Sequence, residues 1–303
     1  NPHNKKVPVN WLNSLKEGGI NLSIPSCELI DKNYAKNVDL KLLSKGWSLY
    51  PDNLIPSFRQ RLLDLSLSNV PRISVIIPNW NREFSCLRAI DSVLHQTVEP
   101  LEIIVCDDGS SDNSIKNIKS RFPDAISRGK LILLEEEHKG VSAARNAAMK
   151  KAKGDWFCYL DTDNIWHPDH ILYFIYVINY LNRDAQILYS SRDLYSPRIK
   201  SRQLPIKLFN YNELKKGNYI DLNCLMHKRS FFDIYGGFNE SLERLVDWDL
   251  ILKYSKNCAV NEVSSVNISS VIYWRSRKFH KNISNTRDIN EPIKVISEKY
   301  KNF

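Results

Sequence analysis

The chain lacks closely spaced cysteines. Its six, Cys27, Cys86, Cys106, Cys158, Cys224 and Cys258, form no Cys-x-x-Cys pair. That excludes the usual structural zinc and dithiol redox motifs. Several lie in apolar stretches, so buried free thiols in a reducing compartment are expected. Long hydrophobic runs are missing too. The longest, ILYFIYVINYL at 171–181, is too short to cross a bilayer and reads as a buried helix. No signal peptide is recognisable, and the chain opens on Asn1, as a fragment or processed form would. Neither G-x-G-x-x-G nor G-x-x-x-x-G-K-[ST] occurs, which argues against a dinucleotide fingerprint and a P-loop. There is no Lys/Arg block and no nucleic-acid motif, so the formal net charge of +9 is dispersed. A basic balance of this kind suits anionic lipid or a phosphate-bearing small molecule. Nucleic acid is not an expected partner, whereas peripheral membrane contact is compatible with the charge.

What is present is ordinary for a globular protein: 43% hydrophobic and 25% charged residues in a chain of 303. That length allows one large domain or two smaller ones with a sizeable core. Residues 1–70 carry scattered apolar anchors (Trp11, Leu12, Trp47, Tyr50) and no assignable chemistry. They are expected to be an N-terminal extension or small helical accessory segment. From Arg72 the pattern becomes regular. RISVIIP, LEIIVCDD, KLILLEE and DWFCYLD read as strands, being continuous and apolar, the first also β-branched and stopped by Pro78. The segments EFSCLRAIDSVLHQ, SSDNSIKNIKSRF and VSAARNAAMKKAK between them read as helices, by apolar spacing or alanine content. Such alternation predicts an α/β fold, with a mostly parallel sheet covered by helices on both faces.

Ligands of open parallel sheets bind beyond the carboxyl ends of the strands. Three polar clusters fall there: PNWNRE after the first strand, DDGSSD after the second and DTDN after the fourth. Asp161 and Asp163 flank one residue, so in a tight turn they could share one hard cation. Mg²⁺ and Mn²⁺ are commonly held by one or two carboxylates together with substrate phosphates. A carboxylate of DDGSSD could accept from a base N–H or a ribose hydroxyl, while Ser111 or Asp112 is expected to cap the next helix. HKGVSAARNAA offers a helix N-terminus, which favours phosphate, and Arg145, which can fork onto phosphate or hold the acids. Asp247 and Asp249 flank Trp248 near the start of a later apolar helix, where a carboxylate could serve as general base.

Taken together, VIIPNWNRE, IIVCDDGSSDNS, KGVSAARNAAMKKAKGDWFCYLDTDNIWHPDHI and GGFNESLERLVDWDLILKY occur in the order and spacing of another group of proteins. The stretch from about 72 to 255, extending to about 285, resembles the family 2 glycosyltransferases of the GT-A fold. The resemblance implies a GT-A domain over 71–303, with a nucleotide-sugar half at 71–165 and an acceptor half at 166–303. It implies metal-dependent, inverting transfer from a nucleotide-diphospho-sugar, UDP foremost, to a hydroxyl of a glycan or glycolipid, in surface polysaccharide synthesis. By the same resemblance Pro78, Asn79, Asn81, Arg82 and Glu83 line the nucleotide end. Asp107 or Asp108 holds the base or ribose, Arg145 braces the donor pocket, and Thr162 contacts the donor. Asp161 and Asp163 match the metal pair for Mn²⁺ or Mg²⁺, and Asp247 matches the general base. His280, in IYWRSRKFHKNIS, is the candidate for a further metal or diphosphate contact.

Three positions depart from the family pattern. Asn79 stands where Thr or Ser is usual, Asn164 where a third Asp is common, and Val246 where Glu often precedes the base. No Q-x-x-R-W motif occurs, so a processive membrane-embedded synthase is not expected. Single-sugar addition, or one module of a larger polymerase, fits better. The expected location is cytoplasmic, at the inner face of the membrane if peripheral. Two rival readings are a sugar nucleotidyltransferase and a non-catalytic carbohydrate-binding module. The first would carry a glycine- and basic-rich phosphate loop after its first strand, where PNWNRE has none.

Overall fold

The computed structural model describes residues 69–195, 202–203, 206–274 and 289–301. All but the last two residues of the N-terminal extension lie outside this range, as does His280. β1 (Ile73–Asn79), β2 (Glu102–Asp108), β3 (Leu131–Glu136) and β4 (Trp156–Tyr159) occupy the four stretches read as strands. β1 pairs in parallel with β2 and β4, and β2 in parallel with β3. Every residue of β1, β2 and β4 is buried, which explains why their sequences run apolar without alternation. The intervening helices are α1 (Ser85–Leu94), α2 (Ser114–Arg121), the short α3 (Pro123–Ser127) and α4 (Val141–Lys151).

The second half adds strands that the sequence reading did not assign. β5 (Asn164–Trp166), β6 (Ile187–Tyr195), β7 (Arg202–Gln203), β8 (Leu225–Lys228) and β9 (Val263–Trp274) extend the sheet to nine strands, in the order β3-β2-β1-β4-β8-β6-β9-β5, with β7 on β6. β8 runs antiparallel to both β4 and β6, β6 pairs in parallel with β9, β5 pairs antiparallel with β9, and β7 pairs antiparallel with β6. The sheet is therefore parallel in its first half and mixed in its second.

Strand side chains alternate between two cores. Ile73, Val75, Ile77, Ile103, Val105 and Cys158 pack on the face covered by α1, α2 and α5 (His170–Tyr176). Ile76, Ile104, Cys106, Phe157 and Tyr159 pack on the opposite face. There they meet α4, α6 (Tyr211–Lys216), α7 (Ser230–Tyr235), α8 (Val246–Ser255) and α9 (Asn290–Lys299). The run at 171–181 is helical as expected, α-helix passing into a π-turn over Val177–Leu181. Cys86, Cys106, Cys158, Cys224 and Cys258 are free thiols. No helix among the described residues is long and apolar enough to cross a membrane.

The antiparallel β8 has a consequence for function. Because it reverses against β4, the segment before it arrives at the carboxyl edge of β4. So does the carboxyl end of β6. The carboxyl ends of β1, β2, β4 and β6 and the segment before β8 therefore lie at one edge of the sheet.

Candidate active site

The ends of β1 and β2 form one hydrogen-bonded unit. Asn79, buried at 1% exposure, follows Pro78 and donates through Nδ2 to Asp107 Oδ1 at 2.6 Å and to Ser110 Oγ at 3.3 Å. Asp107 also accepts from the Ser110 N–H at 2.8 Å, which closes the turn at Gly109. Gly109 has φ +68°, and a Cβ there would meet the His138 backbone N at 2.8 Å, so the position requires glycine. Asn81, itself left-handed at φ 50°, accepts from Ser111 N at 2.8 Å and Asp112 N at 3.3 Å. The Glu83 N–H donates to Asp112 at 3.0 Å, and Asn117 Nδ2 donates to Glu83 Oε1 at 3.0 Å. Asp112 accepts from Ser114 N at 2.9 Å, the capping contact expected at the start of α2.

Asp108 accepts from Lys139 N at 2.8 Å and Gly140 N at 3.0 Å, and faces His138 Nδ1 at 2.8 Å. It thereby fixes the entry to α4. Asp107 and Asp108 are both buried and accept from Asn79 and from the loops after β2 and β3, so they tie these segments together instead of presenting free carboxylates. On the outside Trp80 stacks on His138, with centroids 4.5 Å apart, and stays 47% exposed.

The D-x-D stretch is a tight turn between β4 and β5, closed by Asn164 N–H donating to Asp161 O at 3.0 Å. It is held from below by α4. Arg145 is buried, lies over the Phe238 ring at 5.1 Å, and meets Asp161 Oδ1 at 2.5 Å. Its burial sets Arg145 apart from an ordinary surface arginine. Thr162 is buried between the two acids. Burial first, and the nearby Asp161 carboxylate second, push Asp163 up to about 6; Arg82 acts against both. Arg82 Nη1 is itself buried, with no hydrogen-bond partner in the structure.

Asp247 sits in the first turn of α8, after Leu245 in the left-handed conformation at φ 56°. Such a conformation costs a leucine roughly 1–2 kcal/mol and is concentrated at functional sites. Burial, then the charge of Asp221, push Asp247 up to about 6, while Arg145 opposes them. Asp249, its neighbour in the motif, points elsewhere: it is 1% exposed and binds Lys299 Nζ at 2.6 Å and Tyr300 OH at 3.1 Å.

Sequence reasoning missed three residues of the segment before β8. Asn218 Nδ2 donates to Asp247 Oδ2 at 2.8 Å. Asp221 pairs with Arg192 at 2.9 Å and caps the turn Leu222–Cys224. Asn223 accepts from Asp161 N at 2.6 Å and donates to Asp161 Oδ2 at 3.4 Å and Asp221 Oδ1 at 2.9 Å. The only signal in the sequence was an amide- and acid-rich stretch, NYIDLN, ahead of an apolar run. It could not be placed without knowing that β8 is antiparallel.

The glycosyl transferase family 2 model matches residues 74–235, more than half of the chain. The chain belongs to this family. This glycosyltransferase is 31% identical over 224 residues to an uncharacterized glycosyltransferase of Rickettsia felis. It is 27% identical over 231 residues to the hyaluronan synthase of Pasteurella multocida and 23% over 261 residues to the chondroitin synthase of Escherichia coli. Those matches take in 71%, 75% and 83% of this chain but only 36%, 22% and 35% of the relatives, so it spans about a third or less of their length.

The fold matches S. aureus TarS 1-349, solved with UDP-GlcNAc, at TM-score 0.60 and 17% identity, over 74% of this chain and 64% of that one. It also matches the Pyrobaculum calidifontis mannosyltransferase, solved with GDP-Man and Mn²⁺, at TM-score 0.53 and 20% identity, over 74% and 65%. The glycosyltransferase therefore has the GT-A fold, and the nucleotidyltransferase reading gives way.

Proposed function

We propose that this glycosyltransferase moves a sugar from a nucleotide-diphospho-sugar, UDP foremost, to a hydroxyl of a glycan or glycolipid, with inversion at the anomeric carbon. The observation that carries the reading is the convergence of Asp161 and Asp247 on Arg145 at one carboxyl edge, with Asp163 beside Asp161. In this scheme Asp247 is the general base. It takes the acceptor hydroxyl proton as that oxygen bonds to the anomeric carbon and the bond to the diphosphate breaks on the far side. A base is most effective with a pKa near the working pH, and Asp247 at about 6 suits the task.

Residues 78–83, Asp107, Asp108, Arg145 and Thr162 form the nucleotide end. Asp161 and Asp163 fit Mn²⁺ or Mg²⁺: two carboxylates in one turn, Asp163 raised by burial and by the charge of Asp161, offer an oxygen donor set even with Arg145 against Asp161. No cluster of three ligating side chains occurs among the described residues, but such ions need only one or two carboxylates plus substrate phosphate. Bound there, the ion would neutralise charge developing on the leaving diphosphate. His280 is proposed as a further contact. The solved relatives with UDP-GlcNAc, GDP-Man and Mn²⁺ support donor class and metal. The polymer-synthase names of two longer relatives support a glycan acceptor; surface polysaccharide synthesis, with this chain as one module working at the cytoplasmic face of the membrane, is part of the proposal.

The test is a thermal-shift panel of UDP, GDP, CDP and dTDP, each with and without Mn²⁺. Ligand binding to the native state raises its apparent stability, by about 2.7 kcal/mol at a hundredfold excess over Kd. A metal-dependent shift with UDP is expected. No shift with any nucleotide would overturn the donor-site reading.

A further inference from the structure

The segment 218–223 sends one side chain to each acidic centre, and Asn218 is the one that touches Asp247. Its amide orientation is fixed on the far side. Asn218 Oδ1 accepts from the Ile220 N–H at 3.0 Å, forming a local turn, so the NH₂ end has to face Asp247 Oδ2. An amide N–H on a carboxylate favours the ionised form. The other charged groups acting on Asp247 are Asp221 from the same segment, Asp161 from the β4–β5 turn and Arg145 from α4. Two of these three repel the ionised form. Asn218 is a neutral side-chain donor that, beside the Trp248 backbone N–H, offsets them without adding charge that would pair with a cation site or a phosphate.

We propose that Asn218 is a positioning residue for transfer: its amide aims the Asp247 carboxylate into the site and keeps it ionised near neutral pH. This rests on the reading of Asp247 as the base. It assigns a role to a segment that lies outside the motifs singled out in the sequence.

Asn218→Asp separates this role from a merely structural one. The aspartate retains the acceptor for Ile220 N, and so the turn, but replaces the donor with a carboxylate oxygen. The expected result is an acidic limb of kcat/KM moved up by about one pH unit or more. The rate at pH 7 should drop about twofold for a one-unit shift and about tenfold for a two-unit shift, donor KM stay within about twofold, and the rate recover at high pH. Asn218→Ala removes donor and turn together, and should move the limb in the same direction by less. It serves as the second variant should Asn218→Asp fold poorly. Acidic limbs of both variants that superimpose on the parent's would overturn the proposal. Asp247→Asn, assayed alongside, distinguishes the two failures. A parent-level rate in Asp247→Asn sinks the base assignment and this inference with it. An inactive Asp247→Asn beside unmoved Asn218 variants sinks only the role of Asn218.

Discussion

In the proposed reaction Asp247 and Asp163 carry the dependence on pH. Both are raised to about 6, chiefly by burial. If Asp247 is the base, kcat/KM should fall tenfold per pH unit below about 6, and Asp247→Asn should lower it by about 10²–10⁴ at pH 7. A pH-rate profile with a saturating divalent ion measures both; a profile flat to pH 5 would contradict the assignment. Asp163 titrates in the same range for a different purpose. Its protonated form competes with a cation, so Mn²⁺ affinity should weaken as pH falls below about 6, read by the Mn²⁺ concentration giving half the thermal shift. Of these residues the paired aspartates and Asp247 were legible from spacing and resemblance. Asn218, Asp221 and Asn223 were not, because side chains that hold an acid in place obey no fixed spacing to it.

At the scale of elements, α4 joins the two halves of the site. Arg145 reaches Asp161, while the next residue, Asn146, clasps the G-G-F segment before α8. Asn146 Nδ2 donates to Phe238 O at 2.9 Å and Glu240 Oε1 at 2.7 Å, and Asn146 Oδ1 accepts from Phe238 N at 2.7 Å. A Cβ on Gly237 would collide with Asn146 Oδ1. Asn146→Ala leaves a buried N–H and carbonyl unpaired, each costing about 1–3 kcal/mol, so a drop in stability of about 2–4 kcal/mol is expected in denaturant unfolding. Gly237→Ala should act in the same direction, and both should lower transfer, because α8 carries Asp247. The helices themselves were legible, since α4 and α8 follow alanine and apolar patterns over ten residues or more. Their mutual clasp was not, since 92 residues separate Asn146 from Phe238.

For the whole molecule, buried imidazoles and buried carboxylates pull stability in opposite directions with pH. Burial holds His170 down at about 3 and His227 at about 4, so the unfolded chain binds more protons at these sites below pH 6.5, and acid destabilises. Asp163 and Asp247 at about 6 do the reverse: between pH 6 and 4 the native state holds protons that the unfolded chain releases, so acid stabilises. The two pairs nearly offset each other. Asp247→Asn removes one stabilising proton, so its stability should fall more steeply than the parent's from pH 6 to 4, by up to about 1.4 kcal/mol per pH unit. Urea unfolding at pH 6, 5 and 4 would reveal equal slopes if this bookkeeping is wrong.

The sequence by itself determined the parallel half of the sheet, the glycosyltransferase family and the edge at which the acids gather. Those follow from local regularities: continuous apolar strands, helical spacing and turns rich in Asp, Asn and Gly, all written within a few residues of one another. Tertiary structure alone decided how the second half closes onto the first. β8 is a four-residue strand whose direction no local pattern encodes. Its antiparallel pairing with β4 brings Asn218, Asp221 and Asn223 to the acids of the fourth strand and of α8. Long-range pairing depends on which surfaces remain to be buried once the parallel strands have formed, and that is a property of the folded whole.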